Sequence, residues 1–587
     1  MTLARMAGSF LRRRRGIVAA IVLLQLAQVV FNLWLPSLGA DIIDRGILRD
    51  DTPFIWRMGG VMFGATLVQI GCSVLAIYLG SRTAMALGRE LRAETFRHVQ
   101  RFTTADRHRF GAPTLVTRTT NDVTQIQMVV LLTFTVIVNA PIMGIGGVVM
   151  AIRQDPQLSL LLLLVVPLLL TLILLVMSAL SPRHVIQQKR IDRISTLLRE
   201  QLTGVRVIRA FRRQGAESRK FDEANTQLRS VWLQIGTLWA FLIPATNIIV
   251  GLSSAAVVWT GGHRIVAGQM QVGALAAFIS YLMMILGAVT MTGMMAMLYP
   301  RGQVSAKRIR EILDTQPSIA APEHPLRLPP GPLTFALDHV TLRYPGAEEP
   351  VLRDVSLTLA PGTTTAIVGS TGSGKSSVVR LLPRLVDASD GVVTAEGIPL
   401  TALDPAELRR RIAVVPQQAF LFSGTVASNV AGRIRPGGEE EERVIKALKA
   451  AQAWDFVSEG GIHASIEAGG RNLSGGQRQR LTIARALYRC LPDPQGKRQA
   501  DLLVFDDSFS ALDFATDARI RLSLRDTVGD TTILIVAQRV ATVRSSTAIL
   551  VLDRGGVAGL GTHDELMRNC APYQEIVASQ LSAEEAA

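Results

Sequence analysis

A chain of 587 residues is too long for a single domain, and 48% hydrophobic residues with a mean hydropathy of +0.30 is too apolar for an ordinary soluble enzyme. The net charge of +15 does not mark a nucleic-acid binder, because the basic residues cluster around apolar spans, where membrane topology accounts for them. Only seven of the 62 basic residues are lysine, a bias that reads as a GC-rich bacterial genome. The three cysteines, Cys72, Cys490 and Cys570, have neither metal-ligand nor disulfide-framework spacing.

The first half holds six apolar spans, near 16–40, 56–80, 128–152, 157–181, 235–260 and 272–298. Each is long enough to cross a hydrocarbon layer of ~30 Å as a helix. Arg12-Arg13-Arg14-Arg15 precedes the first span and places the N-terminus on the inner, cytoplasmic side. That run is too long for a secretory leader, and five more spans follow it. The connections Ile47–Phe54, Arg153–Gln157 and Gly261–Met270 are short and read as outer. Those at about 82–127 and 183–233 are long, basic and helical in pattern, and read as inner. Few charges fall within the spans, so no fixed ionic substrate site is indicated. Span six carries Met283, Met284, Met291, Met294, Met295 and Met297, side chains that suit an adaptable apolar cavity or plain core filling. Asn139 and Asn247 are polar within apolar spans, as gating or interhelical groups.

Six prolines between Leu313 and Pro332 mark a linker. Beyond it, short β-branched runs alternate with helical stretches, as in an α/β domain. Leu502–Phe505 and Thr532–Val536 read as buried parallel strands. Thr364–Val368 is a strand entering Gly369-Ser370-Thr371-Gly372-Ser373-Gly374-Lys375-Ser376, followed by Ser377. This is the Gly-x4-Gly-Lys-Ser phosphate loop, in which backbone N–H groups wrap phosphates at a helix N-terminus. Lys375 would reach the β- and γ-phosphates and Ser376 would hold Mg²⁺. The expected cofactors are therefore ATP and Mg²⁺.

Downstream, Leu473-Ser474-Gly475-Gly476-Gln477 is a second phosphate-facing string. Together the two resemble the ATP-binding cassette (ABC) family, whose members clamp ATP between one subunit's phosphate loop and another's Ser-Gly-Gly-Gln. The resemblance extends over nearly the whole chain. Gly111-x3-Leu115-x2-Arg118-x3-Asp122 and Glu200-x3-Gly204-Val-Arg206-Val-Ile-Arg209-Ala-Phe211, in the two inner loops, are family-like. The resemblance implies that those loops are helix extensions ending in short coupling helices that press on the ATPase. It also implies that Tyr344 stacks on adenine, that Gln417 senses the γ-phosphate through Mg²⁺, that Asp506 binds Mg²⁺ through water, and that Ser510–Asp513 spans a dimer interface.

Two positions depart from the family together. Asp507 stands where the family has the Glu that orients the attacking water, and Gln538 where it has a His that contacts the γ-phosphate. Asp507 is one methylene short, a retreat of about 1.5 Å. Gln538 can donate a hydrogen bond but cannot become cationic. Ala468 stands where a Glu is expected, and Cys490–Ala500 is longer than the family's usual turn, which reads as a polar surface loop. The expectation is a six-span α-helical exporter-type membrane domain (1–312, with cytoplasmic coupling loops), a linker (313–332), an α/β P-loop nucleotide-binding domain (333–578) and a tail (579–587). The resemblance implies one half of an ATP-driven transporter in the inner membrane, with a non-identical half-transporter as partner. Its own site would be impaired, its Ser474–Gln477 would complete the partner's, and its cargo would be a small amphipathic, lipid-like or drug-like molecule. A homodimeric exporter with slow ATPase, or an importer on the same fold, is the alternative.

Overall fold

The computed structural model describes residues 2–295, 298–433, 437–493, 495–496 and 498–584. Met297, the Met294 side chain, Pro494 and Lys497 of the long polar loop, and the last three residues of the expected tail lie outside the described residues.

Twelve α-helices among the described residues precede the first strand: α1 (Thr2–Arg12), α2 (Arg15–Asp41), α3 (Thr52–Val99), α4 (Thr104–Phe110), α5 (Ala112–Thr117), α6 (Val123–Leu132), α7 (Asn139–Gln154), α8 (Leu162–Thr203), α9 (Val205–Ala210), α10 (Gln214–Val266), α11 (Val272–Met295) and α12 (Leu298–Asp314). Six helical stretches, Arg15–Arg49, Thr52–Val99, Ala112–Gln154, Leu158–Thr203, Gln214–Val266 and Val272–Asp314, are long and apolar enough to cross a membrane, as the sequence predicts. At 1.5 Å per residue the 53-residue α10 is far longer than a bilayer core, so its polar N-terminal half extends beyond it. Short helices α4 and α9 stand within the two long connections at about 82–127 and 183–233.

The chain divides into two compact units, Met1–Arg101 with Phe110–Gln316, and Phe102–Arg109 with Pro317–Ala587. In the first, the apolar first half of α8 shows how a helix stretch without charge is oriented. Leu169, Ile173, Val176 and Leu180 form one buried stripe, while Leu163, Leu164, Leu174 and Leu175 are exposed. Spacings of four and three put the stripe on one face, and the other faces suit lipid. Polar ties cross between helices. Asn139 Nδ2 donates to Gln25 Oε1 at 2.9 Å, and Tyr281, fully buried, donates its hydroxyl to Leu33 O at 2.8 Å. Such bonds contribute roughly 1 kcal/mol each within a membrane. Asn247 instead lines a cavity of about 200 Å³ with Ile173, Met177, Leu242, Thr246 and Thr290. The string that runs from Gly111 to Asp122 anchors α12. Arg118 pairs with Glu311 at 2.8 Å, and Asp122 accepts from Ser305 Oγ at 2.8 Å.

The second unit contains β1 (Phe335–Leu342), β2 (Leu352–Leu359), β3 (Thr364–Gly369), α13 (Lys375–Leu381), β4 (Asp390–Ala395), β5 (Ile398–Pro399), α14 (Pro405–Arg410), β6 (Ile412–Val415), β7 (Gly424–Thr425), α15 (Val426–Ala431), α16 (Glu439–Ala450), α17 (Trp454–Val457), β8 (Ser465–Ile466), α18 (Gly475–Cys490), β9 (Leu502–Asp506), α19 (Phe514–Val528), β10 (Thr532–Val536), α20 (Val540–Val543), β11 (Ala548–Asp553), β12 (Gly556–Gly561), α21 (His563–Asn569) and α22 (Ala571–Glu584). A six-stranded sheet has the order β12-β11-β3-β10-β9-β6 and is parallel except for the β11–β12 pair. The sheet β2-β1-β4-β5 is antiparallel. Both predicted parallel strands are present as β9 and β10, paired Leu502 to Thr532 through Asp506 to Val536. Alternate residues along each strand feed two cores. Leu503, Phe505, Ile533 and Ile535 join one, and Leu502, Val504, Leu534 and Val536 the other. Burial on both faces is why these strands read as unbroken apolar runs.

The segment Phe102–Arg109 belongs to this second unit although it is far away in sequence. Asp106 caps its own turn by accepting from Thr103 N at 2.9 Å, and it also accepts from Ser318 N at 3.1 Å and from the Ser318 hydroxyl. Burial raises the pKa of Asp106, but the Ser318 and Thr103 bonds outweigh it and hold the carboxyl below its ordinary value.

Cys490, fully buried at the end of α18, has its thiol pushed up to about 12 by burial. At pH 8 its thiolate fraction is then about a thousandfold below that of a free cysteine. Alkylation followed by mass spectrometry is expected to leave Cys490 unmodified in the folded protein and to label it fully in denaturant. Rapid labelling without denaturant would refute this packing.

Candidate ATP-binding site

Four adjacent strands, β3, β10, β9 and β6, end on the same edge of the parallel sheet, and the phosphate loop, Gln538, Asp507 and Gln417 follow them in that order. That edge is where open α/β sheets bind ligands. The loop after β3 runs Gly369 to Gly374 and opens α13 at Lys375. Gly374 caps α13 with φ 98°, and a Cβ there would fall 2.6 Å from Leu352 Cδ2 and 2.9 Å from Val351 O. Lys375 Nζ folds over the loop and donates to Gly369 O and Ser370 O, each at 2.8 Å. The Ser373 hydroxyl is buried with no partner in the protein. An orphaned donor inside a phosphate loop is unusual unless a ligand oxygen completes it, so the residues present fit a nucleotide phosphate. Ser370, Thr371 and Gly372 form the exposed crest of the loop.

We expect Gly374→Ala to weaken binding of a fluorescent ATP analogue by at least tenfold, since left-handed strain alone costs roughly 1–3 kcal/mol. Unchanged affinity would show that the loop is not held by this turn.

The Ser376 hydroxyl donates to Asp506 Oδ1 at 2.9 Å, so two of the three residues expected at Mg²⁺ are already together, while the third, Gln417, donates its amide to Asp507. No cluster of three or more His, Cys, Asp or Glu exists among the described residues. One hydroxyl and one carboxylate suit Mg²⁺, which keeps waters and takes its remaining ligands from phosphate. Bound there, the ion would neutralise charge on the transferring phosphate. Burial, foremost, raises the pKa of Asp506, against the Ser376 bond and the charges of Arg380 and Lys375. Burial likewise lowers that of Lys375, against Asp507 and Asp506.

Asp507 follows β9 in a left-handed conformation, φ 48°, and is 7% exposed. Its N–H donates to Val536 O at 3.0 Å, which stitches the ends of β9 and β10 together. One oxygen, Oδ2, accepts from Gln417 Nε2 at 3.1 Å and from Gln538 Nε2 at 2.8 Å. The structure thus brings Gln417, Asp507 and Gln538 into a single hydrogen-bonded cluster beside Lys375. Burial raises the pKa of Asp507, with the Asp506 charge adding to it and Gln417, Lys375 and Gln538 opposing.

Tyr344 reaches the same helix through its hydroxyl, 3.2 Å from Ser377 Oγ and 3.4 Å from the donating Arg380 Nη1. Ser474 caps α18 in a reciprocal box, with Ser474 N donating to Gln477 Oε1 at 2.9 Å and Gln477 N to Ser474 Oγ at 3.3 Å. Ser474, Gly475, Gly476 and Gln477 therefore form a capped helix N-terminus in which the Gly475 and Gly476 N–H groups lie outside the capping bonds, suited to an anion. Among the described residues no hydrogen bond links them to the 369–376 loop. The loop around Ala468 is tied to the same helix, since Arg478 Nη1 donates to Leu473 O at 2.8 Å and Gly470 O at 3.3 Å. Ser510 Oγ donates to Asp507 O at 2.8 Å.

One residue of the cluster escaped the sequence reading. Gln580, on α22 within the stretch expected to be a tail, donates to Gln538 O at 2.6 Å and accepts from Val540 N at 2.7 Å. It pins the backbone on both sides of Arg539. Nothing local marks it, because a glutamine in a terminal helix carries no pattern.

Residues 17–289 match the ABC transporter transmembrane region and residues 352–492 match the ABC transporter family domain. An uncharacterized ABC transporter ATP-binding protein of Mycobacterium tuberculosis is 45% identical over 98% of this chain and 97% of its own length. An ATP-dependent lipid A-core flippase of Desulfotalea psychrophila is 28% identical over 91% of each chain. The structure of a bacterial Atm1-family ABC exporter with ATP bound shares the fold, with a TM-score of 0.79 at 23% identity, over 97% of this chain and 99% of that one. With six apolar helices, a phosphate loop and an intact Ser-Gly-Gly-Gln on one chain, the protein belongs to the ABC transporters, as a half-transporter of the exporter type.

Proposed function

We propose that this chain is the impaired half of a heterodimeric ABC exporter in the inner membrane, with its N-terminus and nucleotide-binding domain in the cytoplasm. Its phosphate loop holds ATP·Mg²⁺ in a slow site, with Tyr344 against the adenine. Its Ser474–Gln477 completes a competent site on a non-identical partner half-transporter. The carrying observation is the Asp507 carboxylate, one of whose oxygens is occupied by two side-chain amides, Gln417 and Gln538. A general base must be free to take a proton from water at hydrogen-bond distance. This one is short, engaged and paired with a residue that cannot become cationic. Cargo of small amphipathic or lipid-like character is supported by the near-absence of charge in the spans and by the similarity to a lipid A-core flippase.

The test is ATPase activity of the chain purified alone and co-purified with the half-transporter encoded beside it. An inert lone chain that becomes active with that partner supports the heterodimer. Brisk hydrolysis by the lone chain establishes a homodimer and sinks this reading.

A further inference from the structure

We infer a binding site for an anionic phospholipid headgroup between α2 and α3, at the inner edge of the first two spans. A cavity of about 430 Å³ lies there. It is lined by three arginines, Arg14, Arg82 and Arg89, together with Ile17, Leu79, Thr83 and Ala86. The residues from α3 fall on one face, since 79, 82, 86 and 89 are spaced by three or four. Arg14 is the residue that precedes α2, and Ile17 lies on the first turn of that helix. The cavity is therefore lined from both helices, with arginines and small or apolar side chains alternating along α3 and exposed apolar surface continuing toward the span.

Two observations show that the charge is available. Among the described residues none of the three arginines forms an ion pair. Glu90, the acid next in sequence to Arg89, is turned to Arg13 instead, at 3.5 Å. Arg14 is also held in place, its guanidinium 4.2 Å from the ring centroid of Phe10, which is buried on α1. Leu3, Ala7 and Phe10 form the buried stripe of α1 and share one apolar cluster with Ile21 of α2 and Leu87 of α3. Three cations gathered without a carboxylate repel one another, and an anion relieves that repulsion.

The apolar surface selects the source of the anion. Ile17 is 41% exposed, and Leu75 and Tyr78, on the next turn of α3 toward the apolar span, are 47% and 58% exposed. A free phosphate has no use for that surface, whereas an acyl chain descending from a headgroup on the arginines would cover it. Basic pockets between membrane helices on the cytoplasmic side bind headgroups in this way. The occupant is accordingly a phospholipid with net negative charge, bound as part of the annulus and not as transported cargo.

Native mass spectrometry of the full-length protein, extracted from bilayers of equal phosphatidylglycerol and phosphatidylcholine, tests this directly. The wild type is expected to retain phosphatidylglycerol preferentially. Arg82→Gln with Arg89→Gln should lower that retention about tenfold. Ala86→Phe, which fills the cavity and removes no charge, should lower it as well and serves if the arginine variant fails to fold. Equal retention of both lipids by the wild type overturns the proposal, as does undiminished retention in a folded variant. Displacement of the lipid by excess inorganic phosphate would assign the site to phosphate and overturn the lipid.

Discussion

Asp507→Glu combined with Gln538→His is expected to raise ATP turnover at this chain's own phosphate loop by about a hundredfold. The magnitude follows from position, since an error of order 1 Å at a reacting centre costs roughly that factor. The longer side chain restores the missing reach, and the imidazole restores a group that can carry charge at the γ-phosphate. Neither change alone should give half the effect on a logarithmic scale, because both residues converge on Asp507 Oδ2 and neighbours that share an atom are not additive. Single-turnover hydrolysis with the partner's own phosphate-loop lysine replaced isolates the site. A double variant no faster than wild type would mean that the two departures do not limit hydrolysis. The same site should respond to pH in a set direction. Burial raises the pKa of Asp507, so its carboxylate is lost as pH falls at a higher pH than for an ordinary aspartate. Turnover at this loop should therefore fade earlier on the acid side. In Gln538→Leu, with one amide donor gone, the fading should begin at still higher pH.

Ser474→Asp separates structure from chemistry at the other loop. Aspartate caps a helix as well as serine does, whereas an uncapping change such as Ser474→Ala costs only about 1 kcal/mol. The α18 N-terminus should therefore stay folded, with the melting temperature unchanged. A new carboxylate would face the phosphates that the loop is proposed to contact, and hydrolysis by the assembled transporter should fall about a hundredfold. ATP binding to this chain's own phosphate loop should be unaffected. If the assembled transporter keeps its wild-type rate, the Ser474 loop does not complete a competent site.

The legible parts of this protein are those set by local chemistry. Six spans were readable because lipid demands unbroken apolar helices. The strands β9 and β10 were readable because burial on both faces removes polar alternation. The phosphate loop was readable because its turn admits few sequences. The cluster around Asp507 was legible only as separate names. That Gln417 and Gln538 meet on one carboxylate oxygen depends on β6, β9 and β10 ending at one edge, a consequence of strand order. Gln580 and the Asp106–Ser318 contact were invisible for the same reason, since their partners lie 42 and 212 residues away. The lipid-facing cavity was half legible. The arginine run at 12–15 was plain in the sequence, but its alignment with Arg82 and Arg89 required the packing of α2 on α3.

The second unit is discontinuous, and this has a consequence in time. During synthesis, Phe102–Arg109 leaves the ribosome before any other part of the unit to which it belongs. Roughly 200 residues separate it from Pro317, which at about 5–20 residues per second is a wait of about 10–40 s. The Thr103–Asp106 cap gives this segment a closed turn of its own, so its shape does not depend on the absent Ser318. The nascent chain therefore carries one finished piece of the unit for the whole period in which spans three to six are made. Ser318 is among the first residues of the remaining unit to emerge, so the two pieces can join before the phosphate loop has been translated.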